Sequence, residues 1–252
     1  MVDEHELREQ ICEVGRRIYN RRMAAANDGN ISSKLGENEW LCTPTGVSKG
    51  FMTPDMICKV DAKGEPLEES AEHRPSSEIK MHMRVYGKRS DVGAVVHAHP
   101  VYATSFAVAG IPLTRPITPE AVIFLGCVPI VEYGMPSTIE LADNLEKYLE
   151  HHDAVLLESH GALTWGRDVI KAYHTMESLE FYAELMHHSG VLGGARELSG
   201  SQVNRLYELR KELGLQGRHP AEVCRSRSGP GCHRCRTAQL PPSLPASDNS
   251  HK

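Results

Sequence analysis

The chain has 252 residues, of which 40% are hydrophobic and 24% charged, a composition typical of a globular protein with one substantial core. Its formal net charge of −5 argues against binding of nucleic acid, and no apolar stretch approaches the roughly 18 residues of a membrane helix. The seven cysteines lack the spacing of a disulfide framework and the amino terminus is unlike a signal peptide, so we expect a cytoplasmic protein.

The first quarter of the chain predicts one helix followed by short antiparallel strands. Apolar residues from Leu7 to Ile18 recur at helical spacing, which indicates a helix over about 5–26. Alternating segments then indicate strands that are separated by glycine-containing loops. The loops lie at 27–30 and 43–50, and the strands lie within 31–42 and at 57–61.

The middle and the end of the chain predict helices that alternate with buried strands. Ser76 or Ser77 is placed to cap a helix reaching about 88, and Ser137 with Glu140 has the pattern of a capping box. Strands are expected at 93–98, 128–131 and 154–157, and further helices at 102–108, 137–151, 168–188 and 201–213. Strands at the centre and helices outside predict an α/β fold, a three-layer sandwich with a mostly antiparallel central β-sheet.

The chain divides into a compact region and a tail. Residues 1–217 carry all the periodic segments and are predicted to form one domain. Residues 218–252 are rich in proline, serine, glycine and arginine with almost no apolar periodicity, so we predict a disordered tail.

Three histidines stand where predicted buried strands end. His97 and His99 lie two residues apart, on one face of their strand, and His160 follows the apolar run at 154–157. If both strands end at the same edge of the sheet, three imidazoles converge as in an open zinc site, with Glu78 available as an oxygen ligand or proton carrier. The alternative is a set of histidines that are hydrogen-bonded at the ends of core strands.

Three small polar loops precede these histidines and have the composition of an anion site. They are Gly29-Asn30, Thr45-Gly46 and Ser76-Ser77. Backbone N–H groups of glycine turns and hydroxyls at a helix start favour negative charge. Each loop taken alone is better explained as a turn or a cap.

Five motifs in order resemble those of the class II aldolase/adducin family, most closely its fuculose-1-phosphate aldolase branch. They are Gly29-Asn30-Ile31-Ser32, Thr43-Pro44-Thr45-Gly46, Ser76-Ser77-Glu78, His97-Ala98-His99-Pro100 and Ser159-His160-Gly161. The resemblance covers about residues 5–215. It implies a zinc-dependent aldolase of carbohydrate metabolism, usually a homotetramer with active sites at subunit interfaces and one zinc ion per subunit.

The resemblance also implies a role for each motif residue. His97, His99 and His160 would bind zinc, joined by Glu78 when substrate is absent, and Glu78 would be the catalytic acid/base. The substrate phosphate would be held by Gly29, Asn30, Thr45, Gly46, Ser76 and Ser77. The reaction would split a ketose 1-phosphate reversibly into dihydroxyacetone phosphate and a short aldehyde.

Related branches leave three alternatives. Pentulose-phosphate 4-epimerases of this group carry aspartate where this chain has Glu78, and methylthioribulose-1-phosphate dehydratases replace the Ser76-Ser77-Glu78 triplet, so the triplet favours an aldolase. Adducin-like interaction modules lack the metal ligands. All three histidines are present here, which favours an enzyme.

One departure from the branch concerns the aldehyde half of the substrate. The tyrosines that fuculose-1-phosphate aldolases use to protonate the aldehyde oxygen have no match at the corresponding places. Glu120 or Tyr133 is the candidate replacement. The substrate is accordingly expected to be L-fuculose 1-phosphate, a 5-deoxypentulose 1-phosphate or 5-methylthioribulose 1-phosphate, with no nucleic acid or membrane as partner.

Overall fold

A mixed β-sheet runs through the centre of the computed structural model, which describes residues 3–68, 72–215 and 217–220. Its strands are β1 (Asn30–Lys34), β2 (Trp40–Cys42), β3 (Cys58–Val60), β4 (Ala94–Ala98), β5 (Ile130–Val131), β6 (Ala154–Leu157) and β7 (Gly161–Gly166). The helices are α1 (Glu4–Asn20), α2 (Ile79–Lys88), α3 (Val101–Val108), α4 (Ile139–Leu145), α5 (Val169–Val191) and α6 (Gly200–Glu212). The strand order is β3-β2-β1-β4-β7-β6-β5.

The sheet is antiparallel except at one edge. β4 lies in the middle and pairs antiparallel with β1 and β7, whereas only β5 and β6 pair in parallel. The predicted α/β fold with a mostly antiparallel sheet flanked by helices is therefore confirmed. The sequence did not predict β7, although it pairs with β4 over residues 162–166 and with β6 over residues 161–164.

Alternate residues of the central strands pack on opposite faces of the sheet. Ala94 and Val96 of β4 join a core formed with α1, α3 and α5. Val95 packs instead with Trp165 and with apolar residues of α2 and α4. Because both faces are covered, β4 is buried along its whole length, as its apolar sequence indicated.

Helix α1 ends earlier than its periodicity predicted. It stops at Asn20, and positive φ angles at Arg22 and Ala26 turn the chain within the range predicted to be helical. The turn brings the Met23 carbonyl within 2.8 Å of the His99 backbone N–H, which donates to it. A tertiary hydrogen bond thus replaces the last predicted helical turns.

The start of α4 also differs from the prediction. Thr138, not Ser137, is the N-cap, and its side chain accepts a hydrogen bond from the Glu140 backbone. Ser137 has a φ of 66°, a conformation that costs a residue with a Cβ on the order of 1–2 kcal/mol. The capping box predicted for Ser137 and Glu140 is therefore wrong.

The packed region extends slightly past the predicted boundary at 217. His219 is buried, and its Nε2 lies 2.9 Å from the Val122 carbonyl oxygen. The rest of the predicted tail, residues 221–252, lies outside the described residues. Within the described part, no helix is long and apolar enough to cross a membrane.

Candidate active site

Strand directions bring the three sequence-predicted histidines together. β4 and β6 both run antiparallel to β7, so they are parallel to each other and end at the same edge of the sheet. His97 lies at the end of β4 with His99 just beyond it, and His160 lies in the turn between β6 and β7. Gly161 permits this approach, because a Cβ there would lie 2.6 Å from the Ala98 carbonyl oxygen.

The three imidazole rings form a tight triangle. Their centroids are 4.7, 4.9 and 5.0 Å apart, and the Nε2 atoms of His97 and His99 are 3.2 Å apart. His97 Nδ1 lies 2.9 Å from the Ala162 carbonyl oxygen, so Nδ1 carries the proton and Nε2 presents a lone pair. Burial lowers the pKa of His97 and lowers that of His160 to about 4, which keeps both rings neutral.

Glu78 faces this triangle from the start of α2. One carboxylate oxygen lies 3.4 Å from His97 Nε2, and the other lies 3.5 Å from His160 Nε2. The Asn30 amide donates to Oε2 at 2.9 Å. Burial raises the pKa of Glu78, while the Asn30 hydrogen bond acts in the opposite direction.

This arrangement fits a divalent metal ion. Ligand atoms of the three histidines all lie within 4.8 Å of one another, and among the described residues Glu78 Oε1 has no hydrogen-bond donor. Two imidazole nitrogens that both present lone pairs cannot hydrogen-bond to each other, because neither carries a proton. A bound cation would accept both lone pairs. Three histidines and a carboxylate suit zinc and also other first-row divalent metals.

The three polar loops that the sequence predicts to bind an anion, here called the anion loops, lie around the same corner of the fold. Residues 43–45 pair with residues 74–76, through the Ser76 backbone N–H to the Thr43 carbonyl (3.1 Å) and the Thr45 N–H to the Arg74 carbonyl (2.9 Å). The pairing is antiparallel with Pro44 opposite Pro75, so Thr43 lies beside Ser76 and Thr45 lies beside Arg74. The third loop lies beside the histidine cluster, because Asn30 pairs with His97 in the β1–β4 register.

Gly29 and Gly46 provide a matched pair for a stability test. Both have positive φ angles, 76° and 74°, but a Cβ at Gly29 would lie 2.8 Å from the His97 carbonyl oxygen, whereas one at Gly46 would meet nothing within 4 Å. We expect Gly46→Ala to lose about 1 kcal/mol of unfolding free energy from backbone strain, and Gly29→Ala to lose about 1–3 kcal/mol more from the steric clash. Urea unfolding of both variants measures the difference, and equal losses would contradict the Gly29–His97 contact.

Two polar contacts in this corner had no clear sequence signal. His99 Nδ1 lies 3.3 Å from an Asp28 carboxylate oxygen, so this carboxylate can orient the imidazole ring and leave its Nε2 directed at His97. The strained Ser137 donates a hydrogen bond from its hydroxyl to that of Ser77, at 2.8 Å. The one related sequence signal was the run of turn-forming residues around Asp28, which indicated a tight loop.

Glu120 and Tyr133 do not join the histidines within the single chain. Glu120 is exposed at the start of a short π-helical segment, Ala121–Leu125. Tyr133 is half exposed, and its hydroxyl is directed toward the Met135 sulfur at 4.0 Å. Its backbone N–H, however, donates to Glu158 in the turn that carries His160.

The sequence pattern of the class II aldolase and adducin N-terminal domain matches residues 9–187. The chain is 34% identical over 176 residues to the L-fuculose phosphate aldolase of Methanococcus maripaludis, covering 70% of this chain and 93% of the relative. It is 33% identical over 187 residues to the 3-oxo-tetronate 4-phosphate decarboxylase of Escherichia coli K12, covering 73% and 87% respectively. The structure superposes on that of Escherichia coli YgbL, a candidate aldolase, epimerase or decarboxylase, with a TM-score of 0.75, 31% identity, and coverage of 81% of this chain and 98% of YgbL.

The chain therefore belongs to the class II aldolase and adducin N-terminal domain family. Curated relatives within that family are named as aldolases and decarboxylases, and the sequence-based predictions of the family and of an enzyme are confirmed.

Proposed function

We propose that this enzyme cleaves a ketose 1-phosphate between C3 and C4, releasing dihydroxyacetone phosphate and a short aldehyde. The observation that carries the proposal is the position of Glu78. Its carboxylate lies against two histidines of the cluster, and its helix begins directly after Ser76-Ser77. Glu78 is thus placed to act between the proposed metal ligands and the proposed phosphate-binding segment, which supports the proposal.

His97, His99 and His160 would hold the metal ion, with Glu78 as a further ligand until substrate arrives. A bound divalent ion supplies Lewis-acid stabilisation of the negative charge that develops when the C3–C4 bond breaks. We propose zinc as this ion. The support is the set of three neutral imidazoles and a carboxylate.

Glu78 would then move the proton that the reaction requires. In cleavage the electron pair of the C3–C4 bond stays on C3, and Glu78 returns a proton to that carbon. Its pKa is raised by burial, which brings a carboxyl group closer to the range useful for both accepting and donating a proton. The Asn30 amide holds the carboxylate in place.

The three anion loops would hold the substrate phosphate. The backbone N–H groups of Gly29 and Gly46 and the polar side chains of Asn30, Thr45, Ser76 and Ser77 provide donors of the required kind. A phosphate fixed in these loops converts remote binding energy into orientation of the reacting bond. The hydroxyl proton at C4 would leave to a separate base, and Glu120 or Tyr133 is the candidate, acting across a subunit interface in a cytoplasmic homotetramer.

Decarboxylation of a 3-oxo-tetronate 4-phosphate is the second candidate function. Several relatives that cover most of this chain carry that name. Loss of CO₂ from such a substrate leaves the electron pair on C2, and protonation there also gives dihydroxyacetone phosphate. The two reactions therefore need the same metal, phosphate and proton-transfer groups, and they differ in whether the leaving fragment is an aldehyde or CO₂.

The experiment is an assay of dihydroxyacetone phosphate release by the metal-loaded enzyme. L-fuculose 1-phosphate, 5-deoxyribulose 1-phosphate, 5-methylthioribulose 1-phosphate and 3-oxo-tetronate 4-phosphate are tested in parallel, with aldehyde and CO₂ measured separately. We expect metal-dependent release with aldehyde from at least one ketose 1-phosphate. Release with CO₂ alone would replace the aldolase by the decarboxylase, and no release from any substrate would overturn both and redirect the tests to epimerase or dehydratase chemistry.

A further inference from the structure

A buried lysine lies between two of the anion loops. Lys49 is 2% exposed, and its ammonium group donates to the carbonyl oxygens of Asn27 (2.9 Å) and Val47 (2.7 Å). Asn27 begins the loop that carries Gly29-Asn30, and Val47 directly follows Thr45-Gly46. The Lys49 side chain therefore hydrogen-bonds to both loops.

The charge of Lys49 is not neutralised by an ion pair. Over residues 3–68, 72–215 and 217–220, no carboxylate oxygen lies within 4.0 Å of its Nζ. Asp28 and Glu78 are close enough to interact with it electrostatically. Burial lowers the pKa of Lys49 to about 8, and these two carboxylates act in the opposite direction, so the group stays largely protonated near neutral pH.

Holding the loops in place does not by itself explain a buried cation. The backbone of this turn is already fixed against α1, where a Cβ on Gly15 would lie 2.6 Å from the Lys49 carbonyl oxygen. A neutral donor would satisfy the carbonyl oxygens without the cost of desolvating a charge. The retained charge therefore indicates an anionic ligand.

The groups proposed to bind phosphate carry no positive charge themselves. Gly29, Asn30, Thr45, Gly46, Ser76 and Ser77 are all neutral, whereas a phosphate monoester carries almost two negative charges near pH 7. Arg74 is close by in the chain, but its side chain is exposed, and its contact with the loop is a hydrogen bond from the Thr45 N–H to its carbonyl oxygen. Lys49 is the cation enclosed between two of the loops.

We propose that Lys49 is the buried cation of the phosphate site, offsetting the charge of the phosphate dianion while its two hydrogen bonds set the spacing of the loops. The proposal rests on the proposed function in one respect, that the substrate is a phosphate ester. The proposal adds Lys49 as a positioning residue that supplies positive charge. It also implies that tight binding requires the phosphate dianion of the substrate. An unphosphorylated ketose would gain nothing from Lys49.

The test is the affinity of the full-length, metal-loaded protein for inorganic phosphate, measured by calorimetry at fixed pH and ionic strength. Lys49→Gln keeps a hydrogen-bond donor without the charge, Lys49→Met removes both, and Lys49→Arg keeps the charge. Lys80→Met is the matched control, because Lys80 is an exposed lysine in the first turn of α2. We expect at least a tenfold loss of phosphate affinity in the Gln and Met variants, partial recovery in the Arg variant and no change in the control.

Binding of phosphate by Lys49→Gln within threefold of the wild type would overturn the proposal, because the charge would then be dispensable. If both neutral variants fail to fold, the Arg variant decides, because it keeps the charge. A folded Lys49→Arg protein that loses phosphate affinity tenfold or more would overturn the proposal. A wild type that binds phosphate but releases no dihydroxyacetone phosphate would contradict the proposed function alone. Absence of phosphate binding by the wild type would contradict both.

Discussion

Glu78→Gln is expected to reduce kcat by about 10²–10⁴-fold while the protein stays folded, because the substitution removes the proton-transfer group and keeps its shape. The amide can still accept the hydrogen bond from Asn30 that now reaches Glu78 Oε2 at 2.9 Å. Steady-state kinetics on the substrate identified by the release assay measures the effect. Glu37→Gln, in the exposed turn between β1 and β2, neutralises a carboxylate elsewhere and should leave kcat unchanged.

The stability of the metal-free variant gives an independent readout. Folding raises the pKa of Glu78 above its ordinary value of 4.5, so the ionised carboxylate destabilises the metal-free fold once the pH exceeds that value. Glu78→Gln should therefore unfold at a higher temperature than the wild type at pH 7, and the difference should shrink as the pH falls toward 4.5. Wild-type kcat combined with unchanged stability would remove Glu78 from both roles.

His97→Ala is expected to lose metal binding and activity together. His97 is fully buried at the centre of the cluster, with Nδ1 fixed by the Ala162 carbonyl and Nε2 directed at His99 and Glu78. Loss of a group that merely supports a ligand typically costs 10–100-fold in metal affinity, so loss of a ligand itself should cost more than about 100-fold. Elemental analysis and equilibrium dialysis against zinc, manganese, cobalt and iron measure the effect.

His82→Ala is the control for the loss of a buried imidazole. His82 is also fully buried, but it hydrogen-bonds to the Ser32 hydroxyl at 2.7 Å and lies outside the histidine triangle. We expect it to lower the unfolding temperature while metal content stays stoichiometric. Undiminished metal affinity in His97→Ala would exclude His97 from the ligand set.

The parts of the site that were predictable from sequence are those in which local pattern determines position. An apolar run that ends in His97-Ala98-His99 defines both a buried strand and the side of the strand on which the histidines lie. The convergence of His160 with them was conditional on strand order. The deciding strand, β7, was missed because a short apolar stretch between two glycines has too little periodicity to be distinguished from a loop.

Tertiary contacts explain the remaining differences. The sequence around Ser137 satisfies a capping box, yet the hydroxyl of Ser137 bonds to Ser77, sixty residues away in the chain, and Thr138 takes the cap. Lys49 has no local signal, since a lysine in a glycine-containing loop is ordinarily exposed. Glu120 and Tyr133 stay predictions, because a contribution across a subunit interface is not visible in one chain.

The position of His160 has a consequence for how the site forms during folding. Its turn belongs to the β6–β7 hairpin, a local structure of the kind that closes within microseconds. The partner histidines lie on β4, and Leu163 of β7 must find His97 across 65 intervening positions before the triangle exists. Closing so long a loop is entropically costly and slow. The cluster is therefore assembled only after the central strands have paired, and a metal ion encounters the three histidines as one site only in chains that have already committed to the native topology.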